Sequence, residues 1–256
     1  MSGLSDKIKI EDIKAYHGGK LCFESESLEL PVNTLITVVG PNGAGKTTFL
    51  ESLLGLNPEA QLRSFSYCEK DLMSLSKPEF AKMISWCPVG MTTPFDFSFK
   101  EIVEFGFHPF QLAKEEDGET AALSIMEQVG CLDLADKIYN QLSSGQAKLG
   151  AICQALVKKS PITLFDEPTA HLDKSRAIEV MQLFKKISIG STIIIVTHDL
   201  DIAYRFSDYC VIIDCGRVKQ IGPSKSVLTP QNIENTFKVK CDILTSPSGT
   251  SHLVYQ

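Results

Sequence analysis

The feature of this sequence that most restricts its fold is an apolar strand that leads directly into a glycine-rich loop. Leu35–Val39 contains four apolar residues and one threonine, and Gly40–Leu56 passes from a glycine-rich loop into an amphipathic helix. Two further apolar strands are predicted at Ile162–Phe165 and Thr192–Val196. Apolar strands separated by helical patterns are typical of a parallel sheet covered on both faces. We therefore predict an α/β fold with a largely parallel core sheet.

The glycine-rich loop fits a phosphate-binding pattern. Gly40–Thr47 matches G-x-x-x-x-G-K-[ST] and lies between a buried strand and a helix, the context that the pattern requires. Backbone N–H groups would surround phosphate oxygens, Lys46 would reach the β- and γ-phosphates of ATP, and the Thr47 hydroxyl would bind Mg²⁺. The alternative is a structural glycine turn with a solvated lysine. The predicted nucleotide-binding residues of the loop are Gly40, Pro41, Asn42, Gly43, Ala44, Gly45, Lys46, Thr47 and Thr48.

Two carboxylates follow the second apolar strand. Asp166 and Glu167 come directly after Ile162–Phe165, where charged groups are costly unless they serve a cation or a water molecule. We predict that Asp166 binds Mg²⁺ and that Glu167 is the catalytic residue that activates the attacking water. An ordinary acidic loop after a strand is the alternative interpretation.

A short motif between these two sites carries a family resemblance. The sequence LSSGQ at Leu142–Gln146 resembles the LSGGQ signature of ABC ATPases, and it lies between the phosphate loop and the acidic strand, as in that family. The resemblance covers essentially the whole chain. It implies a P-loop NTPase (ABC ATPase) fold, in which an N-terminal antiparallel β subdomain and a helical insertion accompany the core sheet.

The resemblance also implies roles for residues outside the phosphate loop. His198 would be a catalytic residue that holds the γ-phosphate and the water, Asp173 would be the D-loop residue, and Tyr16 would stack on adenine. The alternatives are a loop histidine for His198, a core aromatic for Tyr16 and a helix cap for Ser143. In a head-to-tail dimer with a second copy of the chain, the signature motif would contact the ATP of the other copy. Its residues are Leu142, Ser143, Ser144, Gly145 and Gln146.

We expect residues 1–256 to form a single ABC ATPase domain with three parts. The core sheet would comprise residues 1–89 and 158–229, the helical subdomain residues 90–157, and a C-terminal appendage residues 230–256. Strands are predicted at Lys7–Ile13 and Leu21–Leu30 from their alternating pattern. Helices are predicted at Glu101–Phe107, Glu119–Val129, Leu132–Ile138 and Gln146–Val157.

The sequence departs from the family pattern at three places. Val89 stands where the family has a glutamine that touches Mg²⁺ or the water, and we expect slower hydrolysis or altered coupling from this change. Ser144 replaces a glycine of the signature, which adds a side chain at a position of close approach. Ala147–Gln154 lacks the arginines that are usual after the signature.

Two longer segments indicate the kind of ABC protein. Thr93–Gly106 and Gly222–Phe237 resemble ATPases that serve importers of iron-siderophore, haem and cobalamin. The implied partners are integral-membrane permease subunits and, indirectly, an external substrate-binding protein. The alternative is a soluble non-transport ABC ATPase that acts as a mechanical switch on ribosomes, DNA or Fe–S assembly. A plain P-loop kinase is disfavoured because it would lack the signature.

Composition limits the partners and the location. The net charge of −6 argues against nucleic acid as a partner, because a phosphate-backbone binder normally has a basic face. The eight cysteines match no zinc-binding spacing, and reduced thiols are expected. Neither a signal peptide nor an apolar run of membrane-spanning length is recognised. We therefore expect a cytoplasmic protein that is peripheral at the inner face of the cell membrane.

Overall fold

The computed structural model describes residues 6–107, 117–247 and 249–256. The chain forms two compact units: unit 1 comprises the residues up to Ser74 together with Ile194–Gln256, and unit 2 comprises Leu75–Ile193. The first five residues, which belong to the segment where no signal peptide is expected, lie outside the described residues. The division into core sheet, helical subdomain and C-terminal appendage remains a prediction.

Strands and helices follow one another along most of the chain. The strands are β1 (Lys7–His17), β2 (Lys20–Pro31), β3 (Leu35–Val39), β4 (Gln61–Tyr67), β5 (Lys70–Asp71), β6 (Ile84–Cys87), β7 (Ile162–Asp166), β8 (Thr192–Val196), β9 (Tyr209–Asp214), β10 (Arg217–Pro223), β11 (Cys241–Thr245) and β12 (Ser251–Tyr255). The helices are α1 (Lys46–Leu53), α2 (Lys77–Met83), α3 (Phe99–Phe105), α4 (Gly118–Val129), α5 (Ser144–Leu156), α6 (Lys174–Ile187), α7 (Leu200–Phe206), α8 (Ser224–Val227) and α9 (Pro230–Phe237).

Unit 1 combines antiparallel and parallel strands. Its strands follow the order β5-β4-β1-β2-β10-β9-β3. The pairs β1–β2, β1–β4 and β9–β10 are antiparallel. The pair β3–β9 is parallel, and every residue of β3 is buried. The predicted antiparallel strands at the N-terminus and the predicted strand at Leu35–Val39 are therefore confirmed.

The β1–β2 hairpin is longer than the sequence pattern indicated. Alternation places Ile8 and Ile10 opposite Leu30 and Leu28, and all four side chains are buried. The strand continues beyond the predicted end at Ile13 as far as His17, with a register shift between Ala15 and Tyr16.

Unit 2 contains the parallel pair β6–β7 and the helices α2 to α6. Ile84 pairs with Ile162 and Cys87 with Phe165, so that the two strands end side by side. The predicted helices near residues 101–107, 119–129 and 146–157 correspond to α3, α4 and α5. Helix α3 begins two residues before the prediction because Ser98 forms a capping box with Glu101.

The predicted helix at Leu132–Ile138 is wrong. Only Leu132–Leu134 is helical, as a single 3₁₀ turn. The carbonyl groups that would continue the helix accept hydrogen bonds from α3 instead: Phe99 N–H donates to Lys137, and Lys100 N–H donates to Ala135. This segment therefore satisfies the first N–H groups of α3, which a helix end requires.

Candidate active site

The phosphate loop of unit 1 is built around the buried side chain of Lys46. Lys46 is the first residue of α1, and its side chain is 8% exposed. Its Nζ donates to the carbonyl oxygens of Gly40 and Pro41 at 2.7 and 3.0 Å. The ammonium group is thus held at the centre of the loop. A solvated lysine, which was the alternative interpretation, does not describe this arrangement.

The loop rests on the strands beside it with very little free space. Gly45 has φ 99° and ψ 12°, and a Cβ atom there would lie 2.4 Å from the carbonyl oxygen of Cys22. No side chain fits that gap, and the left-handed backbone also favours glycine. The adjacent carbonyl of Ala44 accepts from Gly216 N–H at 3.1 Å, and the Gly216 carbonyl accepts from Glu24 N–H at 2.8 Å. The loop conformation is therefore fixed by β2 and by the turn before β10.

The remaining loop residues are more accessible. Asn42, Gly43 and Thr47 are exposed, whereas Ala44 is buried. Exposed backbone N–H groups followed by a helix N-terminus favour anion binding. Thr47 is an exposed residue at the second position of α1, and a hydroxyl fits the chemistry of a Mg²⁺ ligand.

His198 belongs to the same unit as the phosphate loop and follows the end of β8. The N–H of Thr197 donates to the carbonyl of Val38 in β3 at 3.2 Å. Thr197 therefore lies beside the strand that leads into the loop, and His198 is the next residue and is exposed. Asp199 accepts from Ile202 N–H at 2.9 Å and caps α7, which restrains the backbone on the other side of His198.

Tyr16 lies at the irregular end of β1 in unit 1. Its side chain is partly exposed, and its carbonyl accepts from Asn57 Nδ2 at 3.0 Å. The register shift between Ala15 and Tyr16 changes the direction of the strand there. A strand aromatic that packs on the core is compatible with this partial exposure, and stacking on adenine remains a prediction.

The acidic pair of unit 2 ends a fully buried strand. Asp166 is the last residue of β7 and is 1% exposed. Glu167 has φ 49°, a left-handed conformation that is uncommon for a residue with a side chain. Strained backbone of this kind is often found at functional sites. This conformation is not that of a regular strand end.

The signature motif forms the start of α5. Ser143 is the N-cap: its Oγ accepts from Gln146 N–H at 3.3 Å, and Gln146 Oε1 accepts from Ser143 N–H at 3.1 Å. The role of Ser143 as a helix cap is thus seen directly, and its predicted contact with ATP remains a prediction. Leu142 precedes the helix, and Ser144 is exposed at its first position.

An open cleft of about 460 Å³ lies at this helix start. Its lining includes Ser143, Ser144, Gly145, His171 and Asp173. Asp173 also caps α6, because its carboxylate accepts from Arg176 N–H at 2.9 Å. Within unit 2, the structure therefore brings the signature motif and the D-loop residue to the same cleft.

Val89, where the sequence departs from the family pattern, lies just after β6. The Val89 side chain is 48% exposed. Its carbonyl oxygen accepts a hydrogen bond from Lys148 Nζ at 2.9 Å. Lys148 is in α5 and was not predicted as a functional residue. The one sequence signal is that this lysine directly precedes a mostly apolar helical segment, Leu149–Leu156.

Burial changes the acid–base properties of the groups around Lys148. Burial lowers the pKa of Lys148, and the nearby Cys87, Asp166 and Glu167 oppose that effect. Burial also raises the pKa of the Cys87 thiol to about 12. Cys87 is therefore a thiol at neutral pH and is unsuited to nucleophilic or metal-binding roles.

Comparison with known proteins agrees with these features. A buried strand, a phosphate loop seated on neighbouring strands and a helix that begins at the loop lysine define an α/β P-loop fold. The profile of the ABC transporter family matches residues 23–170. This match covers more than half of the sequence, and the chain belongs to the ABC transporter family.

Individual relatives are importer subunits. The cobalamin import ATP-binding protein BtuD of Halobacterium salinarum is 33% identical over 218 residues, which cover 84% of this chain and 54% of that protein. The chain thus spans about half the length of this relative. The ferric enterobactin transport ATP-binding protein FepC of Escherichia coli is 29% identical over 254 residues, covering 97% of this chain and 93% of that protein. A proposed metal-chelate type ABC transporter, solved in an inward-facing conformation, has a similar fold, with a TM-score of 0.78, 21% identity and 98% coverage of both chains.

Proposed function

We propose that this chain is the ATP-binding and ATP-hydrolysing subunit of an ABC importer for an iron-siderophore, haem or cobalamin-type metal chelate. The observation that carries the nucleotide part is the phosphate loop, in which the buried Lys46 ammonium is held by the Gly40 and Pro41 carbonyls. The importer part is supported by the relatives, whose names state cobalamin and ferric enterobactin transport.

The residues present fit ATP and Mg²⁺. Lys46 and the exposed N–H groups of the loop suit phosphate oxygens, and Thr47 and Asp166 suit a hard divalent cation. Bound Mg²⁺ would neutralise charge on the phosphates. Glu167 would accept a proton from the attacking water, and His198 would hold the γ-phosphate and that water.

The remaining predicted site residues would act between the two copies of the chain in a dimer. A second copy of the chain would bind head to tail, so that the signature motif of one copy contacts the ATP of the other. The exposed Ser144 and the open cleft at the start of α5 support this assignment. Asp173, at the same cleft, would couple the two ATP sites.

We further propose a cytoplasmic location at the inner face of the membrane, with permease subunits as direct partners and an external binding protein as an indirect one. No helix in the described ranges is long and apolar enough to cross a membrane. A polytopic partner would therefore provide the transport path.

The nucleotide part is tested by equilibrium binding of a fluorescent ATP analogue to the wild type, to Lys46→Ala and to the control Lys14→Ala, an exposed lysine on β1. We expect Lys46→Ala to bind weakly and to lack hydrolysis, because it loses the main positive charge of the loop. Equal affinity and turnover in all three proteins would contradict the assignment.

The importer part is tested by searching the neighbouring reading frames for a polytopic membrane protein and coexpressing it with this chain. The two proteins should copurify after coexpression, and ATP hydrolysis by the complex should increase when a binding protein loaded with metal chelate is added. If no neighbouring frame encodes a polytopic protein, the proposal of transport would be rejected in favour of a non-transport ATPase.

A further inference from the structure

A buried lysine joins three backbone carbonyl groups at the ends of two strands of unit 2. Lys148 is 5% exposed. Its Nζ donates to the carbonyl oxygens of Pro88, Val89 and Asp166 at 3.1, 2.9 and 3.3 Å. An ammonium group has three N–H donors and no acceptor, and three carbonyl oxygens are arranged around this one.

These carbonyls lie where β6 and β7 end. Cys87 pairs with Phe165 in the parallel register, so Pro88 and Asp166 are the next residues on each strand. Lys148 therefore connects the end of β6 and the segment that follows it with the end of β7. A movement that separates Val89 from Asp166 beyond the reach of the Lys148 side chain would break at least one of these hydrogen bonds.

The same lysine is also part of the signature helix. It lies in the second turn of α5, whose N-cap is Ser143. A helical turn is rigid when its backbone hydrogen bonds are intact, so the start of α5 is held in register with the two strand ends. The connection therefore extends from the signature motif to the residue that precedes Glu167.

Packing alone does not require a lysine at this position. Its neighbours in α5 are buried and mostly apolar, and a methionine has a similar shape without the cost of burying a charge. Asp166 and Glu167 both act on Lys148 electrostatically and favour its charged form. A buried lysine whose Nζ donates to three backbone carbonyls, one of them that of Asp166, is therefore placed to hold these segments together.

We propose that Lys148 is a positioning residue for ATP hydrolysis: it fixes the Pro88–Val89 segment and the Asp166–Glu167 end of β7 relative to the signature helix. This inference rests on the proposed ATPase function. Lys148 also provides a polar contact beside position 89, where this chain has a valine and the family pattern has a glutamine.

The test compares Lys148→Met with Lys158→Met. Lys158 is a matched control in the same unit, because its Nζ donates to the carbonyls of Ala81 in α2 and of Ile84 at the beginning of β6. We expect Lys148→Met to lower kcat for ATP about tenfold, as for the loss of a hydrogen bond to a charged group, with no change in ATP affinity. Lys158→Met should leave kcat and ATP affinity unchanged.

A second readout does not depend on hydrolysis. Cys87 is fully buried beside this connection, so N-ethylmaleimide can reach it only when the strand ends open locally. If Lys148 restrains that opening, Cys87 should be labelled faster in Lys148→Met than in the wild type or in Lys158→Met. Peptide mass spectrometry would identify the labelled cysteine, and the buried Cys210 of unit 1 should stay protected in all three proteins. If Lys148→Met does not fold, Lys148→Gln, which keeps N–H donors on a shorter side chain, should show an intermediate loss of kcat.

The outcomes separate this inference from the function on which it rests. Absence of ATP hydrolysis by the wild type would reject the proposed function. Normal kcat and unchanged Cys87 labelling in Lys148→Met, together with an active wild type, would overturn the positioning role alone. A parallel fall of kcat and ATP affinity in both lysine variants would also overturn it, because that result indicates general structural damage.

Discussion

The α-carbon of Gly145 lies so close to His171 that a Cβ atom there would be 2.9 Å from the His171 carbonyl oxygen. The start of the signature helix is therefore in direct contact with the loop between Glu167 and Asp173. A separation below 3.0 Å is shorter than ordinary van der Waals contact, and backbone atoms would have to move to admit a side chain.

Gly145→Ala should consequently lower ATP turnover while ATP affinity stays the same. Alanine favours helix over glycine by about 1 kcal/mol, so any loss would come from the displaced contact and not from helix propensity. A displacement of this kind is expected to reduce kcat on the order of tenfold to a hundredfold. Steady-state phosphate release measures it. Gly190→Ala is the control, because no atom lies near its Cβ position; equal rates for the two variants would contradict the prediction.

Glu167→Gln should retain ATP binding and reduce turnover by about 10²- to 10⁴-fold, the usual contribution of a general base. The amide keeps the size of the side chain and cannot accept the proton. With ATP and Mg²⁺ the variant should elute as a dimer in size-exclusion chromatography, whereas Glu127→Gln, at an exposed position in α4, should behave as the wild type. A monomeric Glu167→Gln protein would argue against a site shared by two copies.

Val89→Gln should increase the basal ATPase rate of the isolated chain about tenfold, since it restores one polar contact to a charged centre. The backbone of Val89 is already held by Lys148, and its exposed side chain can be replaced without a packing penalty. Val254→Gln, at an exposed position of β12, is the matched control.

The rate of Val89→Gln should be measured with and without the membrane partner. An increase only in the absence of the partner would mean that the partner already supplies the contact. No increase in either condition would show that Val89 does not occupy the place of the family glutamine.

Lys158 predicts a specific pH dependence of stability. Burial lowers its pKa from 10.5 to about 8. Between these values the unfolded chain binds more protons than the folded chain, so the contribution of Lys158 to stability increases as the pH rises through this window. The unfolding free energy of the wild type minus that of Lys158→Met should therefore increase from pH 8 to pH 10. A constant difference across this range would show that the pKa of Lys158 is not lowered.

The fully buried strands were predicted most accurately from the sequence. β3 and β8 are buried at every position and were predicted with their observed bounds. β4 was missed because only Phe65 of its seven residues is buried, so its pattern resembles that of a surface segment. The Leu132–Ile138 error has another cause: those residues have helical spacing, but their carbonyls bond to the start of α3, which is a long-range contact.

Sequence-based prediction of the candidate site has the same limit, because it does not recognise contacts between residues that are distant in sequence. Patterns of adjacent residues identified the phosphate loop, the acidic pair and the signature. Lys148 was missed because its partners, Val89 and Asp166, are distant in sequence and present backbone oxygens, which any residue type provides. A lysine in a helix is usually solvated, so sequence alone favoured an exposed position. The catalytic roles of the named residues remain predictions.

The phosphate loop is supported by segments that are far from it in sequence, and this affects how the protein folds during synthesis. Leu35, at the start of the strand that leads into the loop, bonds through its N–H to the carboxylate of Asp208, which is 173 residues further along the chain. Ala44, inside the loop, is held by the N–H of Gly216. Pairings between such distant segments form late, because the whole intervening chain must first be available. During synthesis, therefore, the ribosome must pass Gly216 before the phosphate loop can reach its final conformation, and a nascent chain that stops earlier has the loop sequence without its support.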